Sequence, residues 1–261
     1  MHPMRTIAVA VLLVAAAACS AAAQGEDTFR WSGQLAAGKM LDVHGLNGDV
    51  NARPSSGRTV EIVAVKRGDD DDPREVRIEV NESAEGIEVC AVYPGDRGRG
   101  RSTCDSDHDD DWDDNDVIVD FTVSVPSGVR FDGSTVNGGI EAMGLSSEVS
   151  VSTVNGGIDV SSSGSVEAQT VNGSIRASTG VSSWNGTLDF QTVNGSITLT
   201  LPAGVGAAVS AETVNGDIVS DFPLTIEAGE WGPQSVNGTI GAGGGRLNLE
   251  TVNGEIEIRK S

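Results

Sequence analysis

Aromatic side chains are scarce in this chain of 261 residues, with five Phe, four Trp and one Tyr, 4% in all. A core anchored on large rings is therefore excluded, and small or β-branched side chains must fill the interior. Basic residues are also few, 17 Lys and Arg against 38 Asp and Glu, for a formal charge of −21. Nucleic acid and anionic membrane surfaces would repel such a chain, which leaves a solvated acidic surface as the plain reading of the charge. With 3 His and 3 Cys, neither a CxxC spacing nor a nearby His suggests a redox or zinc site. Helical periodicity is missing from the second half of the chain.

What is present begins with a leader. Arg5 is followed by an apolar run of twelve residues, Ile7 to Ala18, the length of a signal-peptide core and too short to cross a bilayer. Residues 1–23 read as a signal peptide, cut after Ala21-Ala22-Ala23 and before Gln24. A competing site, Ala16-Ala17-Ala18-Cys19, is similar to a bacterial lipobox and would lipidate Cys19, although Ala16 stands where a large aliphatic residue is usual. Ordinary cleavage is the preferred reading. After it, no apolar stretch approaches the ~20 residues of a membrane-spanning helix. Cys90 and Cys104 are then the remaining pair, expected to bond in an oxidising compartment and to pin the Gly-, Arg- and Asp-rich loop between them.

One motif dominates, Thr-Val-Asn-Gly-x-Ile. It starts at Thr135, Thr153, Thr170, Thr192, Thr213 and Thr251, with a close variant from Ser235 to Ile240. Weaker copies are Ser183 to Leu188 and Leu46-Asn47-Gly48-Asp49-Val50. The strong copies start 18, 17, 22, 21, 22 and 16 residues apart, a period that marks stacked repeats. Short alternating strands flank each motif, such as Val149 to Ser152 before one copy and Ile158 to Val160 after it.

Two architectures use this pattern. Asn-Gly is a strong hairpin signal because both residues tolerate positive φ, so a meander is one. The other is a parallel β-solenoid in which each copy sits above the last and Val, Ile, Thr and Asn form columns, the Asn amides bonding along the axis. Val precedes Asn-Gly seven times, with Trp184 and Leu46 in the weaker copies. A hairpin would turn this side chain to solvent, so the reading is a buried Val and a solenoid of about eight or nine rungs. Residues 24–261 are expected to be one domain, a less regular opening over 30–125 and a regular array over 126–261.

The signal peptide, the early Leu46 to Val50, the stretch Val119 to Pro126 and the serial motifs resemble a bacterial "putative adhesin" β-strand-repeat family of unknown function, related to the head domain of autotransporter-like adhesins. The resemblance runs from about Gly33 to Ile258. It implies a β-helical fold, export, and a role in adhesion or envelope organisation, and it carries no catalytic residues.

The chemistry-bearing clusters add little. Asp105 to Asp116 begins like a calcium loop, but Asp110 stands where Gly is required and Asp116 where a bidentate Glu is needed. A solvated, self-repelling loop is the expectation. The position after Asn-Gly is mostly small and neutral, with no acidic pair for glycoside hydrolysis. The expectation is a monomeric, exported, non-enzymatic module of the cell envelope without cofactor or metal, free in the periplasm or outside the cell, or held by lipid at Cys19. Its partner would be a protein or polysaccharide of the cell surface. A periplasmic scaffold or envelope-stress partner is the alternative, and a polysaccharide-active enzyme a third.

Overall fold

Strict alternation of apolar and polar residues folds nearly all of the chain into strands, and the described residues hold one short 3-10 turn, Pro73–Glu75, as their only helix. The computed structural model describes residues 26–94, 115–224, 226–228 and 234–261. In chain order the strands are β1 (Glu26–Gln34), β2 (Met40–His44), β3 (Val50–Pro54), β4 (Thr59–Arg67), β5 (Arg77–Glu82), β6 (Gly86–Val92) and β7 (Ile118–Val125). Next come β8 (Arg130–Asn137), β9 (Ile140–Leu145), β10 (Val149–Asn155), β11 (Ile158–Ser162), β12 (Val166–Asn172), β13 (Ile175–Thr179), β14 (Thr187–Asn194) and β15 (Ile197–Leu201). The last are β16 (Ala207–Asn215), β17 (Ile218–Ser220), β18 (Ile226–Ala228), β19 (Gln234–Ile240), β20 (Gly245–Asn253) and β21 (Ile256–Lys260). They form two sheets, ordered β1-β4-β7-β3-β9-β11-β13-β15-β21-β17 and β18-β19-β16-β20-β14-β12-β10-β8-β2-β6-β5. Buried residues of both sheets make one hydrophobic cluster.

The chain crosses between the sheets at Asn-Gly. In register, Thr153 pairs with Thr170 and Asn155 with Asn172 on one sheet, and Ile158 with Ile175 on the other. Neighbouring tiers therefore superpose like residues, and neither member of a pair doubles back as a hairpin. The glycines explain why. A Cβ on Gly156 would lie 1.9 Å from the Gly138 carbonyl oxygen, one on Gly173 1.9 Å from that of Gly156, and one on Gly195 1.9 Å from that of Gly173. None of these three has positive φ. Glycine is needed at this corner for close backbone approach, where the sequence suggested conformational freedom.

The glycine N–H and carbonyl groups at the corner are satisfied by the neighbouring tiers. The Gly156 N–H donates to the Asn172 carbonyl at 3.0 Å and the Gly173 N–H to that of Asn194 at 3.0 Å. The glycine carbonyls accept from the threonines: Thr153 Oγ1 donates to Gly138 at 2.9 Å, Thr170 to Gly156 at 3.0 Å and Thr192 to Gly173 at 2.8 Å. That need holds Thr inward, so the alternation changes phase after Val, not before it. The valines consequently point outward: Val154, Val171, Val193, Val214 and Val252 are 37–44% exposed, which corrects their expected burial.

Two expected repeat copies serve other ends. Ser235 to Ile240 lies in β19, which runs antiparallel to β16 as a cap, with Asn237 opposite Ser210. Ser183 to Gly186 is a bend leading into β14, in which Gly186 has φ +87 and the Trp184 indole N–H donates to the Arg246 carbonyl at 3.0 Å. The tiers also depart from chain order. Among the described residues the pairs stack as β6/β7, β2/β3, β8/β9, β10/β11, β12/β13, β14/β15, β20/β21 and β16/β17. The first and last pairs in sequence are thus each slotted inside the stack, where each copy was expected to sit above the last. Antiparallel strands cover three of the four sheet ends: β4 and β1 beyond β7, β5 beyond β6, and β19 and β18 beyond β16. Such covering blunts edge-to-edge association.

Beside the first tier, Tyr93 is buried and its hydroxyl donates to the Val117 carbonyl at 3.0 Å. Burial pushes the phenol up to about 12. It is the chain's single tyrosine, so a spectrophotometric titration reads it alone. The phenolate absorbance should rise with a midpoint near 12 in the folded protein and near 10 in urea, and native stability should fall as pH rises between those two values. The glycine column gives a second expectation. Gly173→Ala should lower stability by about 3 kcal/mol through overpacking. Gly57→Ala, at a glycine with open space around its Cβ position and no positive φ, should leave it unchanged or raise it by about 0.4–1 kcal/mol. Urea melts of the two variants check the contrast.

Candidate functional site

The outward residues of the β8–β10–β12–β14–β20 face line up because the register is parallel and unbroken. Asn137 Nδ2 donates to Asn47 Oδ1 at 2.8 Å, Asn155 to Asn137, Asn172 to Asn155 and Asn194 to Asn172 at 2.9 Å each. Asn253 to Asn194 at 2.8 Å and Asn215 to Asn253 at 2.9 Å complete the run. The ladder is on the surface, beside the valine ridge. On the ridge's other flank a groove of about 350 Å³ is lined by Ser152, Gln169, Gln191 and Glu250 together with Val154, Val171, Val193 and Val252. The face therefore offers an apolar stripe between two rows of amides and hydroxyls, repeated at the strand spacing of ~4.8 Å.

Farther across the same sheet runs an acidic column. Asp42 pairs in register with Glu88 on one side and Asp132 on the other. Burial, then the nearby Asp42, pushes the Asp132 carboxyl up, and burial followed by Asp189 does the same for Glu167. A second hollow of about 550 Å³ lies at the far end, lined by Glu167, Asp189, Arg246 and Asn248 among others. Asp189 is held there by Gln191 Nε2 at 2.7 Å and Asn248 Nδ2 at 2.8 Å.

At the near end stands His44, to which the sequence reading gave no role. Its Nδ1 is 2.8 Å from Ser134 Oγ and its Nε2 3.0 Å from Asp42 Oδ1 and 3.9 Å from Glu88 Oε1. The Asp42 carboxylate beside the ring raises its pKa, with Glu88 and Asp132 adding to this and burial opposing it. Ser, His and Asp in contact resemble a hydrolytic relay, but the setting is wrong for one. Ser134 sits mid-strand in β8, paired with β2 and β10, so the backbone N–H groups around it point into the sheet and offer no oxyanion hole. Glu88 and Asp132 would further oppose a developing negative charge. Asp42 and His44 are neighbours on one face of β2, but Ser134 and Glu88 are far from them in sequence, and only the insertion of β2 between β6 and β8 brings them in. No local spacing carries that signal.

Of the other sequence candidates, Cys19, Cys104 and residues 105–114 of the acidic run lie outside the described residues. Cys90 is disulfide-bonded and buried on β6. Asp116 is committed to structure: its carboxylate accepts the N–H groups of Asp69, Asp70 and Asp71 at 3.1, 2.8 and 3.0 Å. Those bonds hold it below the usual carboxylate range. No helix among the described residues is long and apolar enough to cross a membrane.

Residues 127–259 of the chain match a family model, Toastrack DUF4097. The chain belongs to the Toastrack family. The matched segment spans β8 to β21, the part where the motif recurs. Among solved structures, a "putative cell adhesion protein" from Clostridium sporogenes ATCC 15579 is similar at TM-score 0.51 and 12% identity, covering 90% of this chain and 100% of that one. A "putative adhesin" from Bacteroides fragilis NCTC 9343 aligns at TM-score 0.39 and 12% identity, over 89% of this chain and 97% of that one. No curated protein matches the chain. At these identities the first likeness shows the fold.

The opposite settings of neighbouring Thr and Val in this Toastrack domain make a clean test. Thr170→Val should cost about 1 kcal/mol, the net value of the hydrogen bond to Gly156. Val171→Thr, on the exposed ridge, should stay within about 0.5 kcal/mol of the parent in the same denaturant melt.

Proposed function

We propose that this Toastrack protein is a non-enzymatic, exported binding module. In this reading the Thr-Val-Asn-Gly-x-Ile copies are the rungs of a β-solenoid, residues 1–23 a leader and residues 24–261 one domain, with Cys90 and Cys104 bonded and Cys19 lipidated if the lipobox is used. The observation that carries the proposal is the continuous outer face, where a valine ridge runs between the Asn ladder and a row of Ser152, Gln169 and Gln191. Extended stacked faces suit extended ligands. Apolar stripes flanked by amides and hydroxyls suit a polymer with apolar faces and polar edges, as an uncharged polysaccharide has. The charge of −21 disfavours an anionic one. The resemblance to adhesins points the same way.

The reading is tested by retention of the purified protein on immobilised neutral polysaccharides of a bacterial envelope. Val154→Ser, Val171→Ser and Val193→Ser combined should abolish retention without changing the far-ultraviolet spectrum. Retention equal to the parent's would remove the ridge from the binding face. Protease shaving of intact cells, with Cys19 and Cys19→Ser forms side by side, separates the adhesin from the scaffold. Digestion from outside fits adhesion, whereas protection until the outer envelope is opened fits a periplasmic scaffold.

A further inference from the structure

We propose that Asp42, His44 and Glu88 form a zinc-class divalent metal site on the outer face of β2 and β6. The proposal is independent of the polymer-binding reading. One ligand atom from each of the three lies within 4.8 Å of the others. Tetrahedral zinc with N and O ligands at ~2.0–2.1 Å sets its ligand atoms about 3.3 Å apart. The distances from Nε2, 3.0 Å to Asp42 Oδ1 and 3.9 Å to Glu88 Oε1, bracket that value.

Three features suit the cluster to a metal ion. The first is the orientation of the ring. Ser134 Oγ, 2.8 Å from Nδ1, is placed to accept its proton, which leaves the Nε2 lone pair facing the carboxylates. Two lone-pair atoms 3.0 Å apart need positive charge between them, either a proton or a metal ion. The second is Asp42 Oδ1, a buried oxygen whose close polar neighbour is His44 Nε2 at 3.0 Å and which takes no well-directed hydrogen bond from elsewhere. The third is rigidity. The ligands come from paired mid-sheet strands whose register is fixed from Met40 opposite Gly86 to His44 opposite Cys90, so ordering them on binding costs little entropy.

The donor set selects the metal. One imidazole and two carboxylates suit zinc and its first-row neighbours, whereas calcium requires six to eight oxygens. The His44 and Glu88 side chains are 35% and 38% exposed, so the ion can enter from their side and keep water at its remaining positions, with Asp42 Oδ1 as its buried ligand atom.

Calorimetric titration of untagged, EDTA-stripped protein with zinc chloride tests the site. One ion per chain is expected, with affinity falling at least 10-fold in His44→Gln and in Glu88→Gln, and a smaller loss in Ser134→Ala. Cobalt chloride should give a tetrahedral visible spectrum in the parent and not in His44→Gln. Since His108 lies in an acid-rich segment, His108→Gln is titrated in parallel and should bind as the parent does. Absence of binding in the parent, parent-like binding in His44→Gln, or loss confined to His108→Gln would each overturn the proposal. If His44→Gln fails to fold, Glu88→Gln and the parent's cobalt spectrum decide the matter.

Discussion

The rest of the structure depends on how closely one corner backbone can approach the next. At the Asn-Gly corners between the sheets, a glycine lies so near its neighbour's carbonyl that no side chain fits between them. That contact sets the tier spacing at the corner equal to the spacing within the sheets, so both ladders continue through the turn without a break. The carbonyl that the approach would strand is taken up by threonine, and the outer edge is closed by the asparagine amides. Thr, Asn and Gly therefore act as one unit, and losing any member leaves the others with unmet partners.

Repetition also explains how a chain so poor in aromatics packs an interior. Isoleucines 140, 158, 175 and 197 stack in one column, each at the same height as its neighbour's, so β-branched side chains fill the space between sheets layer by layer. The acidic surplus stays on the outer faces, where the parallel register places like charges side by side along the Asp42 column. That crowding is what a bound cation would relieve.

How much could be read in advance follows from the range of the interactions. The β class, the Asn run and the inward Ile were legible because each depends on a period within one motif. The Val orientation was misjudged because it turns on where the alternation changes phase, and the phase is set by a hydroxyl reaching a neighbouring tier. β19 carries the motif's letters but lacks a corner, since its partner β16 is antiparallel. The His44 cluster was invisible, because Asp42 and Glu88 are joined only by strand order. Local sequence announces a corner but not which other corner it will meet.

The slotted positions of β2/β3 and β20/β21 have a consequence for how such a molecule comes into being. A stack that followed chain order could grow from one end as the polypeptide left the ribosome, each new layer laid on a finished one. Here β14/β15 gains its second permanent neighbour only after β20 and β21 have been made, although β16/β17 precedes them. Completion is therefore an insertion or a capture of late segments between earlier ones. Until then two surfaces with unpaired backbone groups must coexist, and shortening the chain at its end would open a gap within the stack instead of trimming its tip.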